Sequence, residues 1–218
     1  MAQERSEAIV IRGVDFSETS RIVTFLTPAR GKLACMAAGA KRAKSPMAGL
    51  LDTFNRLEIV YYWKDGRSVQ KLAEASLLHS FAGLKSDLDK SVFAAFPLEF
   101  AYKVAQENEP SHDLFAELAD GLSRLESWTG PARTHAAWQM LRLLTVAGFG
   151  PDLSSAGAFE SPIGAGALRV LRELASPGDT CPIPNDAPEA FDALARFVVR
   201  HIDSEFRSLR VIGRMFGK

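Results

Sequence analysis

The sequence predicts an α+β protein: a five-stranded N-terminal barrel of the OB-fold type over residues 1–80, then an all-helical domain over residues 81–218. Three observations carry that reading. Short runs rich in Val, Ile and Phe fill the first 80 residues, each bounded by Gly- or Pro-bearing turns. From about Ser86 onward apolar residues recur three and four apart, which is the helical period. The 218 residues are 47% hydrophobic and 24% charged, a globular balance that excludes a disordered, collagenous or coiled-coil chain.

The strands follow in order. Glu7–Val14, Arg21–Thr27 and Lys32–Ala38 come first, the last two joined by the turn Pro28-Ala29-Arg30-Gly31. A basic stretch, Gly39 to Pro46, leads into Met47–Leu51, which is short enough for one helical turn. Phe54–Trp63 and Arg67–Leu77 then form a hairpin around Lys64-Asp65-Gly66. Three strands, a helical piece and two more strands is the element order of an OB-fold.

Beyond residue 81 the elements are helices. Ser86 is placed to cap a helix whose first turn holds Asp87 and Asp89, acids that suit the positive end of the dipole. That helix runs to about Glu107 with Pro97 inside it, where a kink or break is expected. Ser111–Trp128 carries Leu114, Phe115, Leu118, Leu122 and Leu125 on one face. Pro131–Ala147 follows, with Trp138, Leu141, Leu144 and Val146 as its expected core face, and Gly148-Phe149-Gly150-Pro151 ends it. Residues 151–187 form an atypical Gly/Ser/Pro-rich loop region with a helix near Ile163–Leu174. The last predicted helix starts near Pro188 and buries Phe191, Leu194, Phe197 and Val198.

The net charge of zero conceals a pattern. Residues 1–80 hold 12 Lys/Arg against 8 Asp/Glu, residues 81–195 hold 8 against 16, and residues 196–218 hold 6 against 2. Basic ends therefore bracket an acidic middle, which suits separate surfaces for separate partners. No apolar run approaches the roughly 20 residues of a membrane span. Glu4, Arg5 and Glu7 stand where a secretory leader would be apolar, so a cytoplasmic protein is expected.

Signatures of catalysis are scarce. Neither Gly31-Lys32 nor Gly217-Lys218 fits a phosphate-binding Walker sequence, and no GxSxG elbow occurs. Gly164-Ala165-Gly166 lacks the preceding strand and third glycine of a dinucleotide fingerprint. His79, His112, His135 and His201 are scattered, and Cys35 alternates into a strand as small core filler. No nucleophile, base and orienting group can be assembled, so a non-enzymatic protein is expected.

The stronger signal is Lys41-Arg42-Ala43-Lys44-Ser45 on the loop leaving the third strand. Lys and Arg neutralise phosphates and release condensed counterions, so such a cluster supplies sequence-independent affinity for nucleic acid. Arg12, Arg21, Lys32 and Arg56 are its possible companions on the barrel. Phe16, Phe25, Tyr61, Tyr62 and Trp63 are the candidate stacking rings, although most belong to a core. An ordinary solvated surface is the competing reading of the basic loop. For Arg196, Arg200, Arg207, Arg210 and Arg214 the competing reading is helix-dipole complementarity.

Several motifs then occur in a fixed order. Glu7–Gly13 is followed by Phe16-Ser17-Glu18-Thr19-Ser20-Arg21-Ile22-Val23, by Phe25-x-Thr27-Pro28-x-x-Gly31-Lys32-Leu33 and by Gly39-Ala40-Lys41-Arg42-x-Lys44-Ser45. Leu72-x-Glu74-Ala75 comes next, and later Leu141-x-Leu143-Leu144 before Gly148-Phe149-Gly150-Pro151-Asp152-Leu153. This series resembles the RecO family of bacterial recombination mediators, densely over residues 7–80, again at 138–153, and thinly beyond. The resemblance implies an OB barrel joined to a helical domain. It also implies binding of single- and double-stranded DNA, annealing of complementary strands, and loading of RecA onto gapped DNA with RecR. Single-strand binding protein is implied as a further partner through its acidic tail.

The chain departs from the family pattern in three places. Many members carry a four-cysteine zinc module after the helix ending at Gly148, where this chain has Ser154-Ser155-Ala156-Gly157-Ala158, so no zinc or other cofactor is expected. The region 154–180 is also short. Where the family has Arg-Phe-Glu, this chain has Trp138-Gln139-Met140, which leaves Arg133, Trp138 and Arg142 as candidates for the tail site. The terminal Arg-Ser-Arg-like motif survives only loosely, as Arg207-Ser208-Leu209-Arg210. Two other functions stay open: an adaptor that docks RecR or single-strand binding protein with little DNA affinity of its own, and an OB-type RNA-binding module.

Overall fold

The structure is a computed structural model that describes residues 2–217, apart from 156, 158, 160–162, 179 and 183–184. The chain divides into two compact units, residues 1–81 with 105–119, and residues 82–104 with 120–218.

The first unit is built on a closed barrel of β1 (Ala2–Asp15), β2 (Arg21–Thr27), β3 (Gly31–Ala37), β4 (Arg56–Trp63) and β5 (Val69–His79) in the order β1-β2-β3-β5-β4. That order, with a parallel β3–β5 pair in an otherwise antiparallel sheet, is the OB arrangement. The long β1 makes closure possible. Its first half pairs with β4 and its second half with β2, and a bulge between Val10 and Arg12 turns the strand. One side chain in two points inward, so Val10, Val23, Phe25, Leu33, Cys35, Leu57, Ile59, Tyr61 and Leu72 fill the interior. Burial of Cys35 pushes its thiol up to about 12, as fits core filler rather than a reactive group.

Residues 39–55 were expected to include a helical turn and instead run as successive turns, with Ser45, Ala48 and Leu50 each donating to the carbonyl three residues back. Ala40 and Leu51 still enter the barrel core, so the segment closes one end of the barrel without regular helix. Asn55 holds the path by donating to the carbonyls of Gly49 and Leu50. At the β2–β3 turn, Lys32 N donates to Gln106 O at 2.9 Å, Asn108 N to Arg30 O at 2.9 Å and Ser111 N to Pro28 O at 2.7 Å. These bonds bring residues 105–119 into the barrel unit. Gly31 allows the approach, because its φ is +56° and a Cβ there would meet the carbonyls of Gln106 and Glu109 at 2.5 Å.

The second unit contains α1 (Ala82–Ser86), α2 (Leu88–Val104), the end of α3 (His112–Ser127), α4 (Ala132–Val146), α5 (Ala165–Leu174), α6 (Pro188–His201) and α7 (Arg207–Phe216). Ser86 ends α1 rather than opening the long helix. Asp87 is the cap of α2, accepting from Lys90 N at 3.1 Å. Helix α2 continues through Pro97, which is itself buried. The leucines expected on the face of α3 are buried, as are Phe191, Leu194, Phe197 and Val198 of α6.

Helix α4 packs against α2, α5 and α6, so it is buried over most of its circumference rather than along one stripe. Val146, expected in its core face, is instead exposed at its end. Gly121 of α3 faces α4, and the Gln139 side chain occupies the space a Cβ would need. His135 lies between the rings of Trp128 and Trp138, and neither of its ring nitrogens has a hydrogen-bond partner among the described residues. Burial pushes its pKa down to about 3, so the imidazole is neutral.

Helix α7 is an element beyond those expected from sequence. Its first amides are satisfied from α2, where the Glu99 carboxylate accepts from Arg207 N at 3.0 Å and from Ser208 N at 2.9 Å. No helix among the described residues is long and apolar enough to cross a membrane.

Candidate nucleic-acid interface

The basic loop and the β1–β2 turn form one surface. Phe16 N and Ser17 N donate to Ser20 O, and Ser20 N donates to Ser17 Oγ, which closes residues 16–20 into a tight turn. Lys41 then ties the loop to that turn twice. Its backbone N–H donates to Thr19 O at 3.1 Å, and its ammonium donates to Asp15 Oδ2 at 2.7 Å. The hydrogen bond from Lys41, with the nearby charges of Lys41 and Arg21, holds the Asp15 carboxyl below its ordinary range.

Within the loop trio the three cations differ. Lys41 is committed to Asp15, whereas Arg42 and Lys44 are exposed and have no ion pair among the described residues. Gly39, at φ +72°, starts the tight turn in which Arg42 N donates to Gly39 O. The loop therefore presents two cations outward and a third held at its base.

The predicted companions fall in different places. Arg21 lies at the barrel's end, with Nη1 3.5 Å from Leu51 O and Nε 3.8 Å from Asp15. Its guanidinium fills the space above Gly13, where a Cβ would come within 2.8 Å of it. It acts as a strut. Arg56 faces outward but is paired with Glu7 at 2.6 Å. Lys32 is half-buried on β3, and Arg56 stands on β4, which does not neighbour β3 in the closed barrel. Arg12 is exposed opposite Thr24 on the next row. The structure brings Lys41, Arg42 and Lys44 together and leaves Lys32 and Arg56 apart.

One residue essential to this geometry escaped the sequence reading. Asp15 was not singled out, since its neutralising contact is 26 residues away in sequence. Among the candidate rings, Phe25 and Tyr61 are core, and Tyr61 donates to Glu4 Oε2 at 2.7 Å. Trp63 lies under the Arg30 guanidinium at 4.0 Å and Tyr62 under the Lys71 ammonium at 5.7 Å. Phe16 is 63% exposed.

In the helical unit, Trp138 is 1% exposed and so belongs to the core rather than to a contact surface; Gln139 and Met140 are fully buried beside it. Arg142 covers the Trp138 ring at 5.1 Å and donates to Gly178 O at 3.0 Å. Arg133 is bonded to Asp186 at 3.5 Å and sits over Phe93. The residues present do not fit the four-thiolate zinc module that the resemblance implies for many family members: Cys35 is inside the barrel, Cys181 is buried in the other unit, and no group of three or more His, Cys, Asp or Glu among the described residues is placed to hold a metal. Ala156 and Ala158, within the stretch where that module would stand, lie outside the described residues.

Barrel, cationic loop and helical unit together define an OB-barrel protein with an appended α-helical region. The family model described as "Recombination protein O N terminal" matches residues 1–81, and "Recombination protein O C terminal" matches residues 85–197. The chain belongs to the RecO family. The DNA repair protein RecO of Anaeromyxobacter dehalogenans is 30% identical over 170 residues, covering 78% of this chain and 66% of that protein. That of Rhodopirellula baltica is 31% identical over 210 residues, covering 83% and 78%. That of Salinibacter ruber is 34% identical over 139 residues, covering 64% and 53%. The chain thus spans a little under two thirds of the first of these relatives and about half of the last.

Proposed function

We propose that this chain is a non-catalytic DNA repair and recombination protein that binds single- and double-stranded DNA at its barrel and anneals complementary strands. The observation that carries the proposal is the pair of outward cations, Arg42 and Lys44, on a loop braced by Lys41. A small cationic surface that engages two phosphate backbones at once screens their repulsion, which lowers the free energy of the first paired bases. Arg12 extends that surface, Lys32 adds to it in part, and Arg21 and Arg56 contribute mainly through their bonds within the fold.

With RecR, the same protein helps RecA onto gapped DNA in the cytoplasm, without zinc or another cofactor. The tail of single-strand binding protein is received by the helical unit, with Arg133 and Arg142 meeting its carboxylates and Trp138 supporting Arg142 from below. One observation favours the adaptor as a second reading: Arg5, Arg21, Arg30, Lys41 and Arg56 are each within ion-pair distance of a carboxylate, which leaves the barrel few cations for DNA.

The test is annealing of two complementary oligonucleotides, each coated with single-strand binding protein, with the purified metal-free chain as the only addition. Acceleration that fades as salt rises is the expected result. Annealing of bare but not coated strands removes the tail site from the proposal. No binding or annealing on either substrate leaves the adaptor.

A further inference from the structure

Phe16 carries more than the phosphate site requires. A ring at 63% exposure forgoes most of the stabilisation that burying a Phe gives. It is held in a closed turn by the three hydrogen bonds of residues 16–20, so its place is defined by the backbone. The turn is joined through Lys41 to the loop bearing Arg42 and Lys44, so the segment carrying the ring and the segment carrying the cations are neighbours. Among the aromatic residues of the barrel considered as platforms, Phe25 and Tyr61 are buried, and Trp63 and Tyr62 already carry a cation over one face.

We propose that Phe16 stacks on an unpaired base and makes this surface selective for single strands over duplex. The inference rests on the DNA-binding reading above. The chemistry follows from what each form of DNA offers. Both present phosphates, which the cations engage alike, but only an unpaired base has a π-face open to a ring. In duplex those faces are already stacked on neighbouring pairs. A base stacked on Phe16 also keeps its Watson–Crick edge outward, where a complementary strand can reach it. Once pairing occurs, the base is withdrawn into the duplex, the ring contact is lost, and the product is held by phosphates alone. Phe16 thereby favours release of the annealed product. Stacking releases few counterions, so the ring contribution persists at salt concentrations that remove the phosphate contribution.

The experiment compares wild type, Phe16→Ala, Phe16→Leu and Phe16→Trp on oligothymidylate and on a blunt duplex of matched length across a salt series. The expected result is a loss of about 5- to 150-fold in single-strand affinity for Phe16→Ala, the range for one stacked base, with duplex affinity and salt slope unchanged. Phe16→Leu stays weak, since an apolar side chain without a π-face does not stack. Phe16→Trp restores binding and adds an indole emission that single strands quench and duplex does not. Equal losses on both substrates, or no loss on either, overturn the role of Phe16 while a salt-dependent wild type keeps the DNA site. A wild-type chain that binds neither substrate overturns the DNA reading beneath it.

Discussion

Replacing Arg42 and Lys44 together by Ala tests the interface most directly, and the structure supplies the size of the effect. Each phosphate contact to single-stranded DNA contributes about 0.7 to the slope of log K against log salt. Three cations on the loop would give about 2.1, but Lys41 is held by Asp15 at 2.7 Å, so two are available without breaking an ion pair. The double variant should therefore flatten the slope by about 1.4, and a fourfold rise in salt should cost it about sevenfold less affinity than it costs wild type. Lys41→Ala alone should change the slope less than either Arg42→Ala or Lys44→Ala. Asp15→Asn should steepen it by up to about 0.7, because it frees the Lys41 ammonium. Fluorescence anisotropy of a labelled oligonucleotide over a salt series reads wild type and all five variants. Urea unfolding should find the double variant within about 0.5 kcal/mol of wild type, since both side chains are exposed. A double variant with the wild-type slope would refute the placement of DNA on this loop. Equal slopes for Lys41→Ala and Arg42→Ala would refute the part assigned to Asp15.

Two further predictions concern the fold. His135 has a folded pKa of about 3 against an ordinary 6.5, so the unfolded chain binds a proton that the folded chain refuses, and stability is lost as pH falls from 6.5 toward 3. Urea unfolding at about pH 7 and pH 5 should show wild type losing about 2 kcal/mol more than His135→Phe, which keeps a ring against the tryptophans; equal losses would refute the neutral buried imidazole. Gly121→Ala places a methyl group where the buried Gln139 side chain lies, so the about 1 kcal/mol gained from helix propensity is outweighed by roughly 1–3 kcal/mol of overpacking. A thermal midpoint that falls checks this, and one that rises would mean that the α3–α4 crossing can widen at little cost.

Much of the fold was legible because it is local. β2 spans Arg21–Thr27, as its Val, Ile and Phe content and the following Pro–Gly turn predicted, and α6 begins at Pro188, where the last helix was expected to start. α7 was missed because its ten residues, with Leu209, Val211, Ile212, Met215 and Phe216 set among Arg and Gly, were read only as a loose Arg-Ser-Arg-like motif at Arg207–Arg210. Its N-terminus depends on Glu99, more than 100 residues earlier, which no local signal reveals. The misplaced cap has a similar origin: Ser86 and Asp87 both suit a capping position, and the choice was made by the separate short helix α1 ending at Ser86.

The sequence by itself determined the five strands, the helical remainder and a cationic loop after β3, because period, turn chemistry and charge are properties of neighbours along the chain. Only the tertiary structure decided which cations of the loop face outward with no ion pair among the described residues, that Trp138 belongs to the core, and that residues 105–119 fold with the barrel. Coulomb attraction and exclusion of water depend on separation in space. Asp15 neutralises Lys41 and Glu7 neutralises Arg56 because barrel closure brings each pair within 3 Å, across 26 and 49 residues of sequence.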